Sequence, residues 1–176
     1  MKTILALDLG TKTGWAYRDS NGVVTAGTWI LQTPEQTTAA ALLRRDRTLD
    51  MRVPILYRKL KSFWEEATIK NGYSGGVDFL VFEDVQFSKF TLQTQLWSSL
   101  RAAVWLFAFR FSIPRDCCPV STLKKFATGS GNAPKPVMME AAKKLFPHIE
   151  MTFDDNAADA LCLLQWAINL TKRAKA

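Results

Sequence analysis

Ile4-Leu5-Ala6-Leu7-Asp8-Leu9-Gly10-Thr11-Lys12-Thr13-Gly14-Trp15-Ala16-Tyr17 sets the pattern for the whole chain. A short apolar run stops at an acid, a Gly/Thr-rich turn follows, and Gly14 to Tyr17 resumes the apolar pattern, which predicts strand, tight turn, strand. Next, Asp19-Ser20-Asn21-Gly22 is a hairpin signal, because Asn-Gly tolerates the positive φ values of a primed turn, and Val23 to Ile30 supplies a third strand. The chain therefore opens as a three-stranded antiparallel meander.

Beyond it the periodicity changes. Residues 33–53 are Thr/Ala-rich and then Arg-rich (Arg44, Arg45, Arg47, Arg52), and read as a partly exposed helix. From Pro54, the spacing of Leu56, Leu60, Phe63, Trp64 and Ala67 predicts an amphipathic helix that ends at the Asn71 to Gly76 cluster. Phe79-Leu80-Val81-Phe82 has the continuous apolar character of a strand buried on both faces, and it stops at Glu83. A helix over 91–109 should pack Leu92, Leu96, Leu100, Ala103 and Phe107. A short strand near Cys117–Val120 comes next, then a brief helix with Ser121 as N-cap and Gly129 as terminator. A helix over 136–146 stops at Pro147, and a last one runs from Asp155 or Asn156 to about Lys172. The order predicts an α/β fold over residues 1–176 as a single domain. Its core is a five-stranded mixed sheet, three antiparallel strands followed by two parallel ones, flanked by helices.

Composition narrows the class. The chain has 176 residues, 48 % of them hydrophobic and 22 % charged, which suits one globular core and argues against disorder. No apolar run approaches the about 20 residues needed to cross a bilayer. No membrane association is expected, nor is processing after the Met1-Lys2-Thr3 start. Cys117, Cys118 and Cys162 cannot all pair, and adjacent cysteines rarely bridge, so a reducing cytoplasm is the expected compartment. His148 is the single histidine, which excludes most zinc enzymes and His-dependent triads. With 23 Lys and Arg against 16 Asp and Glu, the net charge of +7 points to a polyanionic partner.

The acids carry the chemistry. A right-handed crossover out of the meander places the fourth strand parallel to the first, so Asp8 and Glu83 project from one carboxyl edge of the sheet. The third element is Asp154-Asp155-Asn156-Ala157-Ala158-Asp159. At helical spacing Asp155, Asn156 and Asp159 share or border one face. Helix capping and the dipole account for Asp154 and Asp155 but not for Asp159, a turn inside the helix among alanines. Clustered carboxylates repel, and divalent cations remove that penalty. Oxygen-only ligands select Mg²⁺ or Mn²⁺, and two such ions suit in-line hydrolysis of a phosphodiester. The basic balance of the remaining surface favours a nucleic-acid backbone as substrate.

Three segments together, Leu5 to Ala16, Phe82-Glu83-Asp84-Val85 and Asp155 to Leu161, resemble the RuvC-like Holliday junction resolvases, especially phage-encoded members. The resemblance implies an RNase H-like fold, cleavage of four-way or other branched DNA, and Asp8, Glu83 and Asp159 as metal ligands. The family position three residues before the last aspartate is Asn156 here. Asp155, four residues upstream of Asp159, is the favoured substitute, with Asp154 and the Asn156 carbonyl as the alternatives. A fourth segment, Lys124-Lys125-Phe126-Ala127-Thr128-Gly129-Ser130-Gly131-Asn132-Ala133-Pro134-Lys135, is similar to the family's two lysines flanking a Gly-x-Gly turn near the scissile phosphate. It implies catalytic roles for Lys124 and Lys135 and DNA contacts from Lys125, Gly129 and Gly131, with Lys12 in the first motif as a further contact. Where the family often carries an aromatic, this chain has Gln86 and then Phe87, which either stacks on an unpaired base or fills the core. Arg44, Arg45, Arg47 and Arg52 either grip duplex arms or solvate a helix. A four-way junction has approximate two-fold symmetry, so two opposed cuts imply a homodimer, with Trp97 and Trp105 as candidate contacts.

Three rivals share parts of this pattern. A sugar kinase or chaperone ATPase also places Asp-x-Gly-Thr after an apolar strand, but needs two such domains. A YqgF-like nuclease would prefer structured RNA. A branched-DNA-binding protein on the same fold would bind junctions without cutting, as Asn156 in place of an acid would allow.

Overall fold

Ile4–Asp8 forms β1, and its position in the middle of a sheet explains its composition, since Ile4 to Leu7 are wholly buried. The computed structural model describes residues 1–36, 50–72, 75–85, 91–149 and 154–173. β2 (Lys12–Arg18) and β3 (Val24–Ile30) complete the antiparallel meander, and β4 (Phe79–Asp84) and β5 (Arg115–Pro119) add in parallel. The sheet order is β3-β2-β1-β4-β5. Helices α1 (Arg52–Lys70), α2 (Thr91–Arg110), α3 (Val120–Thr128), α4 (Lys135–Leu145) and α5 (Asp155–Arg173) flank it. The α/β class, the mixed five-stranded sheet and the adjacency of the first and fourth strands are as the sequence predicts.

Strand alternation divides the core in two. Ile4, Ala6, Ala16, Val81 and Cys118 face α5, α4 and α3, where they meet Ala158, Leu161, Leu164 and Ala167. Leu5, Leu7, Tyr17, Leu80 and Phe82 face α1 and α2, where they meet Leu56, Leu60, Leu100, Val104 and Phe107. The second face is finished by large rings, with Phe63 at the centre of Trp15, Tyr17 and Trp29 at centroid separations of 5.1–5.9 Å.

Local details differ from the sequence reading. The first hairpin is not a two-residue primed turn. Of its residues only Gly22 has positive φ, the Gly22 N–H donates to the Asp19 carbonyl, and β2 and β3 pair from Arg18 and Val24. This is a type I turn closed by a glycine bulge, and the Asp19 carboxylate holds it by accepting from the Asn21 and Val23 N–H groups. Ser121 is not the cap of α3. Pro119, at φ −58° and ψ 140°, turns the chain directly from β5 into the helix, so the strand ends one residue earlier than expected. Gly129 does close α3, in the left-handed conformation at φ 83°. Leu92, expected in the core, is 73 % exposed at the start of α2. Most of the 33–53 segment, with Arg44, Arg45 and Arg47, lies outside the described residues, as do Gln86 and Phe87. No helix among the described residues is long and apolar enough to cross a membrane.

A candidate metal centre at the carboxyl edge of the sheet

Leu7 pairs with Phe82 in the parallel β1/β4 ladder, so the next residues, Asp8 and Glu83, stand side by side. Alternation directs both toward the α5 face. Their carboxyl groups are close enough for each to shift the other's proton affinity, upward at Asp8 and downward at Glu83. Burial, then the charges of Glu83 and Asp159, push Asp8 well above the usual carboxylate range. Burial and the charge of Asp159 push Glu83 up to about 7, although Asp8 and Lys124 act against the rise. The pair thus behaves as two acids sharing a proton.

α5 delivers the third acid, and Gly14 lets it approach. Gly14 is the cross-strand partner of Asp8, and a Cβ there would lie 1.9 Å from the Asn156 carbonyl oxygen. The first turn of α5 therefore rests directly on the β2 backbone, beside Asp8. Asp154 caps the helix by accepting from the Ala157 N–H at 3.1 Å, and the Thr28 hydroxyl donates to it at 2.5 Å. Burial alone would raise the Asp154 carboxyl, but these bonds hold it below its ordinary value. Asn156 donates to Asp154 and to Asp155. Ala157, Ala158 and Ala160 are wholly buried, and between them Asp159 presents an Oδ1 that is buried and has no hydrogen-bond partner. Burial raises Asp159 to about 6, while Lys124 and Lys135 oppose the rise and Asp155 adds to it.

The expected lysines flank these acids. Lys135 pairs with Asp155 and is close enough to feel Asp159 and Asp8; its own pKa is raised, chiefly by the hydrogen bond to Asp155. Lys124 acts on Glu83 and Asp159. Lys12, exposed on β2, acts on Asp154. Lys125 is exposed on α3, and Gly129 and Gly131 lie in the loop joining α3 to α4. Gly129 has open space around it, whereas a Cβ at Gly131 would lie 3.3 Å from the Ser121 carbonyl oxygen. Arg52 turns to Asp50 and to the Thr11 hydroxyl, so it braces the turn after Asp8. His148 is exposed and Cys117, Cys118 and Cys162 are free.

The residues fit a hard cation. Oxygen donors share one edge of the sheet, one of them is buried without a partner, and burial, then the charge of neighbouring acids, raises the proton affinity of three acids. Among the described residues no three acid, Cys or His side chains already surround one point at ligating distance. Asp8 and Glu83 stand side by side at the ends of paired strands, and Asp159 is within electrostatic reach of both.

Sequence comparison finds no protein-family model and no curated protein that matches the chain. Comparison of structures does. Thermus thermophilus RuvC superposes with a TM-score of 0.66 at 16 % identity, over 98 % of this chain and 96 % of that one. The chain has the RuvC fold. T. thermophilus RuvC in complex with a Holliday junction substrate gives 0.63 at 17 % identity, over 93 % and 90 %. The yeast mitochondrial Holliday junction resolvase Ydc2 gives 0.54 at 12 %, over 96 % and 80 %.

Gly14, Thr28 and Trp97 are site-bordering residues that the sequence reading did not single out as such. Only Gly14 carried a signal, because glycine inside a strand marks a place where another backbone comes close.

Proposed function

We propose that this protein is a metal-dependent endonuclease that hydrolyses phosphodiesters in four-way or other branched DNA. The observation that carries the reading is the side-by-side placement of Asp8 and Glu83 in the β1/β4 ladder beside the unpartnered Asp159 oxygen at the carboxyl edge of the sheet. Asp8, Glu83 and Asp159 are the residues that would hold Mg²⁺ or Mn²⁺. Asp155 is the preferred fourth ligand, since Asp154 is engaged as the helix cap and by Thr28 and Asn156 faces the acids as a donor. When bound, a pair of such ions supplies positive charge to the attacking water and the departing oxygen of an in-line displacement. The protein's own part is to hold its carboxylates ionised and fixed, and to place Lys124 and Lys135 where they neutralise the phosphate. The Gly129 to Gly131 loop, with Lys125 and Lys12 at the rim, admits the DNA backbone closely.

Two opposed cuts call for two copies, and α2 offers the surface. Trp105, Leu106 and Phe109 are 44 %, 65 % and 78 % exposed on the outer side of one helix, an apolar stripe that a second copy of this chain would cover. Arg115 lies 4.1 Å from the Trp105 ring centroid and pins that ring in place. Phe109→Glu should convert a dimer into a monomer in sedimentation and reduce paired nicking to single nicks.

The decisive assay uses matched four-way, forked and linear DNA and a structured RNA, each in Mg²⁺, Mn²⁺ and EDTA, with Asp8→Asn and Asp155→Asn alongside. Paired nicks in opposed strands of the four-way substrate should appear with metal and vanish in EDTA and in Asp8→Asn. Cutting that survives Asp8→Asn refutes the assignment. Preference for RNA selects a structured-RNA nuclease, and tight junction binding without cutting selects a binding protein.

A further inference from the structure

Leu9 and Asp84 directly follow Asp8 and Glu83, and alternation turns both toward the other face of the sheet, beneath α2. There one helix takes hold of each. The Trp97 indole Nε1–H donates to the Leu9 carbonyl oxygen at 2.8 Å. The Arg101 Nη1–H donates to Asp84 Oδ1 at 2.9 Å, and its guanidinium lies 5.8 Å from the Phe82 ring centroid. Arg101 therefore touches the residues on both sides of Glu83. Trp97 and Arg101 are four residues apart, one above the other on a single helix face.

We infer that Trp97 and Arg101 are positioning residues, a brace that fixes the separation of Asp8 and Glu83 from behind. The inference rests on the nuclease reading, because only a site for shared cations needs that separation held. Neighbouring carboxylates repel once both are ionised, and each sits at the last residues of its strand, where the ladder restrains the chain least. Grips just past both acids, made by one rigid helix, oppose the splaying. A packing role alone would be met by phenylalanine at 97, which keeps the ring and loses the donor. With the Arg101 side chain 47 % exposed, solvent screening leaves the Arg101–Asp84 pair only a modest share of global stability. Trp97, a candidate subunit contact by its spacing to Trp105, is half-buried and spends its indole N–H on Leu9, while Trp105 is 44 % exposed.

The test pairs Trp97→Phe and Arg101→Gln with the conservative Arg101→Lys, and reads two quantities. In metal-free protein, exchange of the Gly10 amide, which belongs to the same peptide unit as the Leu9 carbonyl, should accelerate about tenfold in Trp97→Phe, as expected for a locally loosened segment. On the four-way junction, the single-turnover rate in Mg²⁺ should fall about tenfold in Trp97→Phe, within the about hundredfold that a misplacement of 1 Å can cost. Junction affinity in EDTA should stay unchanged, and Arg101→Lys should recover most of what Arg101→Gln loses. Wild-type exchange and wild-type cutting in Trp97→Phe overturn the brace, as does a loss confined to junction affinity. If the wild-type protein cuts no branched substrate, the nuclease reading fails on that result, and the Gly10 exchange rate still decides whether the grip exists.

Discussion

The two faces of the sheet are packed by opposite means. On the α5 side the contact is made by Ala6, Gly14 and Ala16 against Ala157, Ala158 and Ala160, small residues that let a helix lie almost on the strand backbones. On the α1/α2 side the space is filled by Trp15, Tyr17, Trp29, Phe63 and Phe107, large rings that keep the helices further off. The difference follows from what each helix delivers. α5 must bring carboxylates to the same point as Asp8 and Glu83, and short side chains such as Asp reach it only from close range. α1 and α2 deliver no acid to that point, so bulk suffices. One face should therefore be intolerant of added volume, and the other of lost volume.

The largest effect is expected at Gly14. A methyl group there meets Asn156 backbone atoms at 1.9 and 2.3 Å, which no rotamer change relieves. Gly14→Ala should cost about 3 kcal/mol or more in urea unfolding, at the upper end for overpacking. Any folded fraction should need more Mg²⁺ for cutting, because α5 has moved outward. An unchanged midpoint with unchanged cutting breaks the comparison. On the other face, Phe63→Ala should cost about 2–3 kcal/mol, as cavity formation at a half-buried ring does, yet leave cutting per folded molecule at the wild-type rate.

A smaller effect, opposite in sign, belongs to the acids. Asp8, Glu83 and Asp159 have folded-state pKa values above their unfolded ones, about 7 for Glu83 and about 6 for Asp159. The folded metal-free protein then binds more protons than the unfolded chain, and its stability falls as pH rises from roughly 4 through about 7. Without metal, the melting temperature should drop between pH 5 and pH 8. Asp8→Asn should flatten that slope and gain about 1 kcal/mol at pH 8, or about 2–4 °C in this size range, while abolishing cutting. With Mg²⁺ present the wild-type slope should shrink, since cation binding expels the protons. A metal-free protein equally stable at both pH values contradicts the crowding of these acids.

What the sequence disclosed depended on whether a signal was local. The Asp8 and Glu83 adjacency was legible because each acid ends an apolar run and because crossover handedness leaves one place for the fourth strand. The α5 acids were legible through their spacing. Their order of duties was not: Thr28, 126 positions away in the chain, takes up Asp154 as a hydrogen-bond partner, and nothing near either residue announces it. The Trp97 bond to Leu9 was hidden for the same reason, since the spacing of Trp97 and Trp105 relates them to each other and not to the sheet beneath. The hairpin was misread through the opposite fault. Asn21-Gly22 is a strong local signal, but Asp19 supplies a competing side-chain acceptor that favours the bulged turn.

The smallest expected change in stability is at Lys135, and it separates the structural from the chemical use of a charge on the close-packed face. Its side chain is 72 % exposed and its partner Asp155 is 37 % exposed, so water screens their attraction. Lys135→Gln should alter stability by no more than about 0.5 kcal/mol, the scale of an exposed pair. Cutting should suffer far more, because the ammonium that rests on Asp155 in the metal-free protein has no substitute once a phosphate occupies the edge of the sheet. The expected signature is a fall of about tenfold or more in the single-turnover rate with junction affinity nearly kept, the mark of an interaction stronger in the transition state than in the ground state. Lys125→Gln, one step off that geometry on α3, should instead weaken junction binding and its salt dependence with the rate intact. Equal losses in both variants would mean that the lysines serve only as a diffuse basic surface.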